Sequence, residues 1–267
     1  MKNFILVIFF MLLIAGCGGS SKVDSSKKIL NSATTWQWQL QGELNKSYSV
    51  KVYDIDLFNT SVGVIKELKQ NGKIVICYFS AGSYESWRDD ANSFPQEALG
   101  KKMDGWDERW IDIRNTQIQV IMQNRLKLAK DKGCDGVEPD NVDAFTNDSG
   151  FNLKPQDQIK FNKFLAKEAK ALDLLIGLKN DLNQIKELEP YFDFALNEQC
   201  HEYKECELLE PFIEANKPVF NAEYSQKYVD NTNAAREKLC SLAKQRDFRT
   251  LVLPLELDDS FRFSCDN

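Results

Sequence analysis

Eight short apolar or alternating runs punctuate this chain, at residues 36–40, 52–58, 73–79, 136–140, 174–180, 192–198, 218–224 and 250–257. Helical patterns separate most of them, at 62–70, 116–132, 156–172, 181–188 and 232–245. Strictly alternating strands and helices bury both faces of a parallel sheet, so the fold class is α/β. Gly72 and Gly133 follow two of the helical patterns, where a C-cap belongs. Asp181 stands where it could serve as an N-cap for the helix carrying Ile185 and Leu188. About 230 residues carry the eight runs, and no glycine-rich phosphate loop follows any of them. That combination favours a single (β/α)8 TIM barrel over a doubly wound sheet. Two segments break the alternation. Residues 41–51 are too short and polar for a helix, and 80–115 is a long insertion rich in Trp, Asp and Gly.

The N-terminus belongs to a different class of segment. Lys2 precedes an unbroken apolar run from Phe4 to Ile14, then Ala15-Gly16-Cys17. Eleven apolar residues are too few to span a bilayer but suit the core of a secretory signal. Leu13 to Cys17 resembles a bacterial lipobox, which makes Cys17 the expected lipidation site and the membrane an expected partner through that anchor. The sequence therefore divides into a signal peptide (1–16), a polar Ser/Lys-rich tether (17–34) and one folded domain (35–267). The expected location is exported, in the cell envelope or secreted. Past Cys17 six cysteines remain, an even number for an oxidising compartment. Cys200 with Cys206 and Cys240 with Cys265 are the expected disulfides, whereas Cys77 and Cys134 could equally be buried thiols. The formal charge of −6 argues against nucleic acid and for a neutral or cationic partner.

In a barrel, chemistry collects where the strands end. Here those ends carry Asp54 and Asp56, Tyr78 and Ser80, Glu138 and Asp140, Lys179 and Asn180, Asn197 and Glu198, Asn221, Glu223 and Tyr224, and finally Glu256 and Asp258. The stretch GVEPDNVD, 136–143, sets Glu138, Asp140 and Asp143 within six positions. A solvated acidic loop explains one such stretch, but not seven strands delivering polar groups to one rim. A single histidine, His201, with no CxxC leaves no expected metal site or cofactor. Paired carboxylates remain, and with Trp36, Trp38, Tyr78, Trp87 and Tyr224 they describe a sugar cleft. Glycoside hydrolysis uses two such groups: one protonates the leaving oxygen, and the other attacks the sugar or activates water. Glu138 and Asp140 share parity, so both point inward, Asp140 nearer the mouth.

GVEPDNVD, ICYFSAGSYESWRDD, IGLKN, ALNEQC…YKEC and VFNAEY together resemble glycoside hydrolase family 114, the endo-α-1,4-polygalactosaminidase-like proteins. The resemblance spans about residues 36–258. It implies the (β/α)8 barrel and a glycoside hydrolase acting on α-1,4-linked, galactosamine-containing polymer, a cationic amino-sugar chain that agrees with the acidic balance. It also implies catalysis by Asp140 and Glu198, with Glu223 and Glu138 as alternates. Asp54, Tyr78, Asn141, Asp143, Lys179, Asn180 and Tyr224 are candidate substrate contacts. Two other readings stand beside it: a non-catalytic glycan-binding lipoprotein on the same barrel, and a hydrolase of another amino-sugar polymer.

Overall fold

The computed structural model describes residues 30–266. The expected signal segment and the lipidation site Cys17 lie outside the described residues. Twelve strands form two sheets among these residues. The large one runs β1 (Trp36–Gln39), β2 (Val52–Asp56), β3 (Ile74–Ser80), β7 (Gly136–Asp140), β8 (Leu175–Lys179), β9 (Phe194–Glu198), β10 (Val219–Glu223), β11 (Arg249–Val252) and β12 (Phe263–Ser264). The first eight of these are parallel and follow one another in chain order, and β12 pairs antiparallel with β11. The sheet curls until β1 meets its far end. Trp36 Nε1 donates to the Arg249 carbonyl at 2.7 Å, and the Leu40 N–H donates to the Leu257 carbonyl at 3.0 Å.

Period-two alternation explains what sits inside this curl. Trp36, Trp38, Val52, Ile74, Ile76, Phe194, Leu196, Phe220, Ala222 and Leu251 form one buried cluster on the inner face. Tyr53, Ile55, Val75, Cys77 and Phe79, at the alternate positions, pack outward in a second cluster with the helices. Following the inner face toward the strand ends, apolar residues give way to polar ones. Val52 is succeeded by Asp54, Ile76 by Tyr78, Gly136 by Glu138 and Asp140, Gly177 by Lys179, and Leu196 by Glu198. The apolar floor closes one end, and the polar positions form the other.

The covering helices start and stop where their ends dictate. In α1 (Val62–Gln70) the Ser61 hydroxyl accepts from the Val64 N–H. In α2 (Thr116–Lys132) Asn115 caps the start, and Gly133 ends it at φ 91°, the left-handed conformation that glycine takes without strain. Pro155 opens α3 (Pro155–Ala171), with the Asp157 carboxylate accepting from the Lys154 N–H. No continuous helix covers 181–188. Asp181 is left-handed (φ 46°) and offers no cap, because its carboxylate turns inward to Asn162. A 3-10 turn and one short helix, Ile185–Leu188, follow instead.

The insertion folds as a small antiparallel sheet of β4 (Ser83–Glu85), β5 (Leu99–Lys102) and β6 (Glu108–Ile111). Three disulfides join Cys77 to Cys134, Cys200 to Cys206 and Cys240 to Cys265. The first of these removes the free-thiol alternative for Cys77 and Cys134. Among the described residues no helix is long and apolar enough to cross a membrane.

Candidate active site

The polar strand ends open into a cleft of about 1280 Å³. Its centre is one ammonium. Lys179 Nζ lies 3.0 Å from Glu138 Oε1, 3.2 Å from Asp140 Oδ1 and 3.3 Å from Glu198 Oε2. Trp38 covers it, with Nζ 4.6 Å from the ring centroid. Burial by itself would lower the pKa of Lys179, but Asp140, Glu138 and Glu198 outweigh it and hold the amine well above its ordinary value. The group is a fixed cation.

Asp140 and Glu198 are each held by further donors. The Asn141 N–H reaches Asp140 Oδ1 at 2.7 Å and the Tyr78 hydroxyl reaches Oδ2 at 3.0 Å. Tyr224 donates to Glu198 Oε1 at 2.6 Å, and Asn180 Nδ2 donates to Oε2 at 3.0 Å. Asn180 also accepts from the Glu198 N–H through Oδ1, so one amide fixes both ends of that residue. Burial, and then the neighbouring carboxylates, raise both tyrosines well above the usual phenol range, so they stay protonated donors.

Not every candidate reaches the cleft. Asp54 and Glu138 are fully buried beneath it. Glu223 belongs to the opposite face of β10, since Phe220, Ala222 and Tyr224 occupy the inward positions. Its carboxylate accepts from the His201 N–H and from Asn221 behind the sheet, and burial pushes its pKa up to about 7. Trp36 lies in the floor of the curl and offers no sugar surface. Asp143 and Asp181 line the cleft; burial and then Asp140 raise Asp143 to about 6, and burial and then Asp143 raise Asp181 to about 8. His201 is no proton shuttle, because burial lowers it to about 4. It stands beside Cys200 and Cys206, but those sulfurs are bonded to one another and are not free thiolates.

Three aromatic groups that sequence reasoning did not single out also line the cleft. Trp106 and Trp110 come from the insertion and Tyr203 from beyond β9, joining Trp87. Trp87 and Trp106 are about half exposed, at 53% and 50%. For Trp106 the signal was a Trp in a polar Asp/Gly context, MDGWDE, where burial is not expected.

The insertion is clamped to the rim. Arg88 forks onto Asp56 (3.1 and 2.8 Å) and bonds Glu85 (2.9 Å). Arg125 of α2 reaches the Asp90 carboxylate and the Ser80 carbonyl. A hydroxyl chain joins Glu108, Ser83 and Ser80 to the Asn141 amide, and burial lifts Glu108 to about 7. The arm is thereby tied to the residue that holds Asp140.

A fixed cation between two hydrogen-bonded carboxylates, in a long cleft with exposed indoles, suits cleavage of an acetal in a sugar chain. The comparisons agree. The Glycoside-hydrolase family GH114 model matches residues 19–267. The crystal structure of Aspergillus fumigatus Ega3 in complex with galactosamine is 39% identical, with a TM-score of 0.85 over 90% of this chain and 98% of that one. The glycoside hydrolase domain of PelA from Pseudomonas aeruginosa is 13% identical, with a TM-score of 0.67 over 85% and 96%, and so speaks for the fold. Among curated protein sequences none matches. With a family match over nearly its whole length and a solved relative at 39% identity, this chain belongs to glycoside-hydrolase family GH114 and is a glycoside hydrolase.

Proposed function

We propose that the protein hydrolyses α-1,4-linked, galactosamine-containing polysaccharide, with Asp140 as nucleophile and Glu198 as general acid and base. The observation that carries this reading is the Lys179 ammonium held between the two carboxylates. The two oxygens it touches can be no farther apart than those contacts laid end to end. That limit sits at the bottom of the roughly 6.5–9.5 Å of inverting glycosidases and admits the ~5–5.5 Å of retaining ones. That limit is compatible with a retaining displacement, and the reading adopts one. Asp140, surrounded by donors, attacks the anomeric carbon while Glu198, which must take up a proton from solvent before the step, gives that proton to the departing glycosidic oxygen. Glu198 then takes a proton from water, whose oxygen displaces Asp140 from the sugar. Glu198 is the more open of the two, at 26% exposure against 18%, as a group that must meet both leaving group and water should be.

Charge supports the substrate class. Eleven Asp and Glu residues and four Lys and Arg residues line the cleft. Such a surface attracts a polymer bearing free amines. We read the curled sheet as a complete (β/α)8 barrel with its mouth at the strand ends. Asp140→Asn and Glu198→Gln are expected to lower turnover of an α-1,4-galactosamine oligomer by at least about 10²-fold. Circular dichroism should remain unchanged. Normal turnover in Asp140→Asn would overturn the assignment, and tight binding with no wild-type turnover would favour a glycan-binding protein.

The lipobox-like run adds a location, a lipid-anchored protein of the cell envelope. Cys17→Ser should release or misprocess it, and wild type that fractionates as wholly soluble would remove the idea.

A further inference from the structure

Beneath the cleft floor two carboxyl groups face one another without an adequate donor. Asp54 of β2 is 1% exposed and Glu138 of β7 is 0% exposed. Both point inward from the two strands that flank β3, close enough for each to act on the other's carboxyl. Among the described residues, no side-chain N–H or O–H reaches Asp54 or Glu138 Oε2. The other Glu138 oxygen, Oε1, accepts from Lys179. The remaining charged and titratable groups around the pair are Asp140 on the same strand, Tyr78 on β3, Glu198 on β9 and Tyr224 just past β10. The two tyrosines give their hydroxyls to Asp140 and Glu198.

Two desolvated acceptors in contact cannot both be anions unless something bridges them. We propose that Asp54 and Glu138 hold one proton between them, and that this singly charged pair is the foot on which Lys179 stands between Asp140 and Glu198. One proton engages Glu138 Oε2 and one Asp54 oxygen, two of the three that otherwise have no partner. It also fixes the charge below the ammonium. With two anions there, Lys179 would be drawn down and away from the catalytic carboxylates. With none, the whole charge of the ammonium would fall on Asp140 and its neighbour Glu198, and the nucleophile would be more fully neutralised. Burial raises the pKa of Glu138 well above the carboxylate range and that of Asp54 to about 7, in keeping with a retained proton. Asp54, expected from sequence to touch sugar, is on this account a positioning residue that acts through Glu138 and Lys179.

The inference rests on the proposed roles of Asp140 and Glu198 for its kinetic consequence, but its direct readout needs no turnover. Infrared difference spectra of the full domain at mildly alkaline pH should contain the C=O stretch of a protonated carboxyl. Asp54→Asn should remove that band, and Asp140→Asn should keep it. In assays, Asp54→Leu should lower kcat at least about tenfold with KM little changed, as the displaced ammonium misaligns the site. Asp54→Asn, whose amide supplies a permanent N–H to Glu138, should recover most of that loss and alter the pH profile of kcat. Thermal melts check that each variant is folded. Because Asp181, raised to about 8, also holds a proton in that range, the spectra are taken in an Asp181→Asn background. A band that survives there in Asp54→Asn would overturn the shared proton, whether or not the protein cleaves galactosamine polymer. An Asp54→Asn enzyme as impaired as Asp54→Leu would overturn the positioning role.

Discussion

At the scale of single residues, position along the inner face of a strand decides chemistry. Gly82 is the sharpest case. A Cβ there would stand 1.7 Å from the Asn141 carbonyl oxygen and 2.6 Å from its carbon, both backbone atoms that cannot rotate aside. The same peptide segment bonds Asp140, whose carbonyl accepts from the N–H groups of Ala81 and Gly82. Gly82→Ala must therefore move Asn141, and with it the N–H on Asp140 Oδ1. Turnover is expected to fall by about 10²-fold, the scale of a 1 Å misplacement, with a stability loss of about 1–3 kcal/mol from overpacking. Steady-state kinetics beside urea unfolding test both, and wild-type kcat in a folded variant would contradict the argument. Parity also separates Glu198 from Glu223. Both end a strand, but only Glu198 shares the inward face with Leu196, whereas Glu223 sits between inward Ala222 and Tyr224. That distinction was present in the alternation of VFNAEY.

At the scale of elements, the disulfides divide into a stabilising one and a site-holding one. Cys77–Cys134 closes 57 residues and ties β3 to the segment entering β7, for which chain entropy gives about 4 kcal/mol. Cys200–Cys206 closes only 6 residues, for about 2 kcal/mol, but lies directly after Glu198. Replacing the first pair by Ala should lower unfolding free energy more while sparing kcat. Replacing the second by Ser should do the reverse, which denaturant titration and kinetics on the same samples will resolve. All eight parallel strands were legible in the sequence, as were three long helices, because apolar alternation and caps are local signals. Asp181 was misread because a tertiary partner, Asn162, outcompetes the cap it could have formed. The pairing of β4 with β6 in the insertion and the Cys77–Cys134 bond depend on contacts distant in sequence, and local pattern carries no trace of those. Of the site, the acids were visible, whereas the buried location of Asp54 and the joining of Asp140 and Glu198 by Lys179 needed the curl of the sheet.

At the scale of the whole molecule, the buried acids set how stability follows pH. Burial raises Asp143 to about 6, Glu108 and Glu223 to about 7, and Asp181 to about 8, against roughly 4 in an unfolded chain. Between those values the native state keeps protons that the unfolded chain has released, so stability is lost as pH rises through that window. His201, lowered to about 4 by burial, acts in the opposite sense below about 6.5, but it is one group against these four and the Asp54–Glu138 pair. The melting temperature should therefore fall from about pH 5 to about pH 8, and Asp181→Asn should flatten the slope. A Tm that climbs over that range would refute the account. The curl has a directional consequence as well. Arg249, at the start of β11, holds the Ser32 carbonyl with its Nε at 2.5 Å, so the chain enters at the strand starts. The cleft opens at the strand ends. On the proposed anchoring through Cys17, the mouth would face away from the surface that carries the protein, like a tool held by the handle, and polymer lying beyond that surface would meet the cleft first.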